Sequence, residues 1–106
     1  MRQMTVTELH DFLRSAETTP LLLDVREPHE YVYCRIEGSI NMPMNSVPSR
    51  LDDIDRDAEI ITICHHGMRS AAVADFLIGQ GYRKVANLQG GVDAWSRLVD
   101  PNLPRY

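Results

Sequence analysis

The sequence predicts an α/β protein built on a parallel sheet with helices on both faces. Two apolar runs of strand length, residues 21–25 and 60–63, lack the alternation of a half-exposed strand, as expected of parallel strands covered on both sides. Both runs are followed by turn residues and then by a helical pattern. Strands that alternate with helices at this spacing favour a parallel sheet with right-handed crossovers.

Length and composition predict a single domain over residues 1–106. The net charge of −4 argues against a nucleic-acid-binding surface, and no apolar stretch is long enough to span a membrane. The two cysteines, Cys34 and Cys64, are too few for a disulfide framework. Because free thiols are typical of a reducing compartment and the first residues form no apolar leader, we expect a cytoplasmic protein.

Capping residues mark the first helix and strand. Thr5 and Glu8 form a capping box, which predicts a helix whose apolar face carries Val6, Leu9, Phe12 and Leu13. A turn at 17–20 separates this helix from the strand 21–25.

Shorter elements are predicted in the middle of the chain. Residues 26–31 indicate a short helix with Pro28 in its first turn, and residues 39–42 a short strand closed by a proline. A further short helix is expected over 46–51, followed by a solvated acidic loop over 52–57.

The last third of the chain predicts two more strands, each leading into a helix. The strand 60–63 precedes a helix that begins near Ser70 and ends around 79–81, where glycines favour a C-cap. The strand 84–88 turns at a glycine pair into a helix over 92–98, and the proline-containing tail is expected to be irregular.

The loop after strand 60–63 carries the candidate chemistry. Cys64 lies at the carboxyl edge of the sheet, where open α/β folds bind their ligands. N–H groups of a tight loop and of the first helical turn would stabilise an anion there, either the Cys64 thiolate or a charged substrate. Gly67 permits the turn, and Arg69 supplies a forked donor for oxyanions.

A structural role is the alternative for each cysteine. A single cysteine at a strand end is often only a small buried apolar residue. For Cys64 the neighbours favour function, because His65, His66 and Arg69 are poor core residues. Cys34 has no such loop around it, and we interpret it as a packing residue.

The segment 64–70, Cys-His-His-Gly-Met-Arg-Ser, resembles the active-site loop of the rhodanese sulfurtransferases. Other segments agree with that family in the same order along the chain: residues 23–27, 30–31 with 36–43, and 87–95. The chain departs from many members at Arg35 and Glu37, away from the cysteine loop. The resemblance covers nearly the whole chain and implies the rhodanese-like fold, with a five-stranded, mostly parallel sheet.

The resemblance implies sulfur transfer from thiosulfate or a related donor through a persulfide on Cys64. It places six residues at the substrate: His65, His66, Gly67, Met68, Arg69 and Ser70. It gives Asp24 and Arg26 a supporting role, with Asp24 holding the cysteine loop in shape. No cofactor and no metal are expected.

The acceptor implied by the resemblance is a thiol or a sulfur-carrier protein. The tail beyond Trp95 is similar to the end of rhodanese domains attached to molybdopterin-synthase activating enzymes. A nucleic-acid or membrane partner is not expected.

The alternative function is that of a cysteine-dependent phosphatase or arsenate reductase of the same fold. Four residues separate Cys64 from Arg69, whereas the cell-cycle phosphatases that resemble rhodaneses have five. The shorter loop favours a sulfane sulfur over a phosphate.

A metal site on residues 64–66 is disfavoured because three consecutive side chains do not readily converge on one ion. The remaining alternative is a non-catalytic binding module. Such members of the family typically lack the cysteine, whereas this chain has it.

Overall fold

A computed structural model describes all 106 residues and contains one sheet of five strands. The strands are β1 (Arg2–Thr5), β2 (Leu21–Asp24), β3 (Ile40–Asn41), β4 (Ile60–Ile63) and β5 (Val85–Gln89). Their order across the sheet is β1-β5-β4-β2-β3, and every neighbouring pair is parallel. The α/β fold class and the parallel sheet are therefore confirmed.

Four α-helices and two short 3-10 helices surround this sheet. The α-helices are α1 (Val6–Ser15), α2 (Pro28–Tyr33), α3 (Met68–Gly79) and α4 (Gly91–Leu98), and the 3-10 helices span Met44–Ser46 and Pro48–Asp53. None of these helices has both the length and the apolar character needed to cross a bilayer.

Apolar cores lie on both faces of the sheet, because successive residues of a strand point to opposite sides. On one face, Ile61 and Ile63 of β4 belong to a buried cluster with Leu9 of α1 and Trp95 of α4. On the other face, a second cluster covers Ile60, the cysteine after β4 and residues Val73, Ala74 and Leu77 of α3. The continuous apolar run 60–63 was therefore a reliable sign of a strand buried on both sides.

Strand β1 was missed by the residue patterns. It pairs with β5 in parallel register, and Met4 is its only buried residue. A strand of four residues with one buried position shows too little alternation to be recognised, so only the family resemblance implied a fifth strand.

The predicted elements are present, with three local corrections. The helix expected over 26–31 lies two residues later, at Pro28–Tyr33, because Glu27 is its N-cap. The expected helix over 46–51 is instead a pair of 3-10 helices, the second of which takes in the start of the predicted acidic loop. Helix α3 begins at Met68, two residues before Ser70, because Gly67 turns the chain with a φ of 104°. The predicted capping box is confirmed, since Thr5 and Glu8 exchange hydrogen bonds of 2.9 and 3.1 Å.

Candidate active site

The sulfur of Cys64 lies beneath the loop that joins β4 to α3. Its Sγ is 3.1 Å from the backbone N of Gly67, 3.3 Å from the backbone N of Ser70 and 3.2 Å from Ser70 Oγ. Cys64 is only 1% exposed, so water competes little for these contacts. Two N–H groups directed at one sulfur can stabilise negative charge on it.

Gly67 is required by the shape of this loop. Its φ of 104° lies in the left-handed region, and a Cβ would come within 3.3 Å of the Leu88 carbonyl and of the Gly90 nitrogen. The glycine therefore allows the loop to turn tightly over the sulfur while it packs against the end of β5.

The N-terminus of α4 holds the same loop from the other side. Val92 N donates to the Cys64 carbonyl at 2.9 Å, and Asp93 N donates to the His65 carbonyl at 3.0 Å. Gly91 makes this approach possible, since a Cβ there would overlap the Cys64 carbonyl. The orphan donors of one helix thus fix the backbone that carries the candidate nucleophile.

Arg69 forms a two-pronged ion pair with Glu30 of α2. Its Nη1 and Nη2 are 2.7 and 3.0 Å from the two carboxylate oxygens, and hydrogen bonding to Arg69 lowers the pKa of Glu30 to about 2. This ion pair contributes fully to stability above pH 4.5, the ordinary pKa of a glutamate, and the contribution is lost as the pH falls toward 2. Three of the five guanidinium N–H groups remain available to an anion.

Asp24 and Arg26 form a fully buried ion pair next to α2. Arg26 Nη2 is 2.7 Å from Asp24 Oδ2, and both side chains are 0% exposed. Burial tends to lower the pKa of Arg26, but its hydrogen bonds to Asp24 and Tyr106 outweigh burial and raise it. The Asp24 carboxylate contacts Arg26 and does not reach the cysteine loop, so its link to the site runs through the guanidinium.

Tyr106 brings the C-terminal tail to this group of charges. Its hydroxyl lies 2.8 Å from Arg26 Nη1 and 2.8 Å from Glu30 Oε2, and its ring centroid is 4.0 Å from that of His65. Burial raises the pKa of Tyr106 to about 12, so the phenol keeps its proton and donates to Glu30. The side chains of α2, the cysteine loop and the tail therefore meet at one place.

The two histidines of the loop stack on each other at 4.1 Å, between Tyr106 and solvent. Burial, followed by the charge of His66, lowers the pKa of His65 and so favours the neutral form of this ring.

A group of metal-type donors is formed by His65, His66 and Asp93, whose ligand atoms lie within 4.8 Å of one another. The third donor, Asp93, comes from α4 and is distant from residues 64–66 in the sequence. The Asp93 carboxylate already accepts from Arg97 and Arg105 at 3.2 Å. A cation would have to compete with two arginines for this carboxylate.

The structure brings most of the sequence-predicted residues to the carboxyl edge of the sheet. Met68 begins α3 at the same edge, but the residue is 82% exposed and takes no part in the buried contacts around the sulfur. Sequence reasoning missed the partners Glu30, Asn87 and Tyr106. The family-like segments included Glu30 and Asn87, but nothing local indicated that either would contact the loop.

Comparison with known proteins identifies relatives over most of the chain. The family model "Rhodanese-like domain" matches residues 5–98. A protein named sulfurtransferase from Allochromatium vinosum is 38% identical over 85 residues, which cover 79% of each chain. Thiosulfate sulfurtransferase GlpE from Actinobacillus pleuropneumoniae is 34% identical over 80% of this chain and 79% of its own. The crystal structure of a rhodanese-like domain protein from Staphylococcus aureus has a TM-score of 0.86 at 27% identity, and covers 100% of this chain and 99% of that one.

Proposed function

Because this chain belongs to the rhodanese-like domain family and is a sulfurtransferase of that family, we propose that it moves a sulfane sulfur through a persulfide on Cys64. The observation that carries the proposal is the placement of the Cys64 sulfur beneath two backbone N–H groups at the end of β4. The Cys64 thiolate attacks the outer sulfur of thiosulfate, the S–S bond of thiosulfate breaks, and sulfite leaves with its electron pair. The loop N–H groups stabilise the negative charge on the sulfur before and after the transfer.

The acceptor in this proposal is a thiophilic nucleophile that attacks the outer persulfide sulfur and regenerates the Cys64 thiolate. Cyanide serves in the assay, and a thiol or a sulfur-carrier protein serves in the cell, which we propose to be the cytoplasm. The reaction needs no cofactor, because the cysteine carries the transferred atom itself.

The test of the proposal is the position of the transferred sulfur. After incubation with thiosulfate and removal of the donor, peptide mapping by mass spectrometry should find one extra sulfur atom on the Cys64 peptide. Cys34 should carry none, because it packs in the core on the opposite face of the sheet and lacks the two backbone N–H groups that face the Cys64 sulfur. Extra sulfur on Cys34, or on neither cysteine, would contradict the proposal.

Arg69 is the proposed contact for the sulfonate end of thiosulfate. We expect Arg69→Ala to raise KM for thiosulfate by about tenfold or more, because a charge-assisted hydrogen bond is worth about 1.5–3 kcal/mol. Arg69→Lys should recover only part of this loss, since an ammonium lacks the planar fork. Initial rates at saturating cyanide measure the effect.

Glu30→Gln provides the comparison for the arginine variants. This change removes the negative charge paired with Arg69 at 2.7 Å and should lower KM for the thiosulfate dianion several-fold. An unchanged KM in Arg69→Ala would mean that the loop N–H groups alone bind the anion. The sulfonate role of Arg69 would then be wrong.

A further inference from the structure

Asn87 of β5 contacts both the cysteine loop and the first turn of α3 through one buried side chain. Its Nδ2 donates to the Gly67 carbonyl at 3.0 Å, and its Oδ1 lies 2.5 Å from the Ser70 hydroxyl. Asn87 is 2% exposed and Ser70 is 0% exposed. Gly67 and Ser70 also supply the N–H groups that face the Cys64 sulfur, so this one amide is anchored to both residues that carry those donors.

The orientation of the Asn87 amide follows from its partners. A backbone carbonyl can only accept a hydrogen bond, so the amide nitrogen must face Gly67 and the amide oxygen must face Ser70. An amide oxygen has no proton to give. The single proton of the Ser70 hydroxyl therefore lies toward Asn87 while that hydrogen bond is made.

This arrangement leaves the Ser70 oxygen free to accept from the cysteine. Ser70 Oγ is 3.2 Å from Cys64 Sγ, so a protonated Cys64 can donate to Ser70, which in turn donates to Asn87. When Cys64 is a thiolate or a persulfide anion, it needs a donor instead. Rotation of the Ser70 proton from Asn87 to the sulfur supplies that donor without movement of any heavy atom.

Thr62 of β4 can replace Ser70 as the donor to Asn87 when the Ser70 proton turns toward the sulfur. Its Oγ1 is 3.0 Å from the Ser70 carbonyl and 3.4 Å from Asn87 Oδ1. A buried acceptor that loses its donor is costly. Because the Thr62 hydroxyl can turn to Asn87 Oδ1, that oxygen keeps a donor in both states of the sulfur.

We propose that Asn87 is a positioning residue, which holds Ser70 so that its hydroxyl accepts from the Cys64 thiol and donates to the Cys64 anion. Asn87 acts through Ser70 and does not itself touch the sulfur. The role of Asn87 in sulfur transfer rests on the proposed function. Its effect on the reactivity of the Cys64 thiol does not depend on that function, so the positioning role and the proposed function can be tested separately.

The experiment is a double-mutant cycle with Asn87→Ala, Ser70→Ala and the double variant, all in the full chain. The first readout is the rate of iodoacetamide labelling of Cys64 at pH 7, followed by peptide mapping. The second readout is kcat and KM for the thiosulfate–cyanide reaction. Ser39→Ala is the matched control, because it removes another buried serine hydroxyl whose partner is a backbone carbonyl away from the cysteine loop.

We expect each single variant to slow labelling about tenfold, which corresponds to about 1.4 kcal/mol, and to lower kcat more than it raises KM. The double variant should be labelled no more than about twentyfold more slowly than the unchanged protein, because both changes remove the same hydrogen bond to the sulfur. Ser39→Ala should label within about twofold of the unchanged protein.

Several results would overturn the proposal. Labelling of folded Asn87→Ala at the original rate with a lowered melting temperature would give Asn87 a purely structural role. A loss of about a hundredfold in the double variant would show that the two residues act independently. Faster labelling would mean that Asn87 withholds the Ser70 proton from the sulfur.

Asn87→Asp serves if the alanine variant does not fold, because it conserves the side-chain volume. An ionised carboxylate two hydrogen bonds from the sulfur would repel the thiolate and lose the bond to the Gly67 carbonyl, so labelling should slow by at least about tenfold. Labelling at the original rate in this variant would overturn the proposal. If the coupling holds in labelling but the unchanged protein forms no thiocyanate, the proposed function fails and the role of Asn87 stands.

Discussion

Cys64→Ser should reduce thiocyanate formation from thiosulfate and cyanide by at least about a thousandfold, to the background rate. Removal of the nucleophile from a covalent mechanism leaves only the contribution of the binding site. A serine hydroxyl is not a thiolate and cannot carry the sulfane sulfur as a persulfide. Thiocyanate is measured as its ferric complex, under conditions in which the unchanged protein turns over many times.

Stability is not expected to account for this loss. The change replaces one sulfur atom by oxygen at a position where two backbone N–H groups already donate, so the variant should unfold near the temperature of the unchanged protein. Cys34→Ser is the matched control and should retain nearly full activity. Undiminished turnover in Cys64→Ser would exclude Cys64 as the nucleophile, and an inactive Cys34→Ser would favour a relay through both cysteines.

Cys64→Ser also separates sulfur transfer from the phosphatase alternative. Aryl phosphate hydrolysis should be negligible in the unchanged protein, because only four residues lie between Cys64 and Arg69. Robust hydrolysis that disappears in Cys64→Ser would favour the phosphatase function instead.

The cysteine loop could be predicted because its signal is local. A buried strand, Cys64, Gly67 and the start of a helix follow one another within a few residues, and each has a conformational preference that the sequence displays. The same is true of the capping box at Thr5 and of the apolar runs 21–25 and 60–63. These features depend only on residues that are neighbours along the chain, so a single sequence is enough to predict them.

The partners of the loop could not be predicted in this way. Glu30 pairs with Arg69 across 39 residues of sequence, Asn87 contacts Ser70 across 17, and Tyr106 reaches Glu30 across 76. Each of these side chains reads locally as an ordinary polar residue. Only the parallel order of the strands brings β5 and α2 beside the loop, and that order is a property of the whole fold.

Asp24→Ala should lower the free energy of unfolding by about 3–5 kcal/mol, the cost of leaving a buried charge without its partner. Arg26 is 0% exposed, and three of its nitrogen atoms, including the backbone N, donate to the Asp24 carboxylate at 2.7–3.1 Å. A domain of this size is stable by about 5–15 kcal/mol, so the loss is a large fraction of the total. Urea unfolding followed by circular dichroism measures it.

The double variant Asp24→Ala with Arg26→Met decides whether the charge is responsible. Methionine keeps much of the volume of Arg26 without its charge, so the double variant should be more stable than Asp24→Ala alone. This holds although the double variant also loses the hydrogen bonds from Arg26 to the Cys34 and Glu30 carbonyls and to the Tyr106 hydroxyl. If the double variant were instead less stable than either single variant, by the sum of their effects, the two side chains would act independently. Asp24 would then stabilise this end of the sheet through the packing around its carboxylate, and not through the buried ion pair.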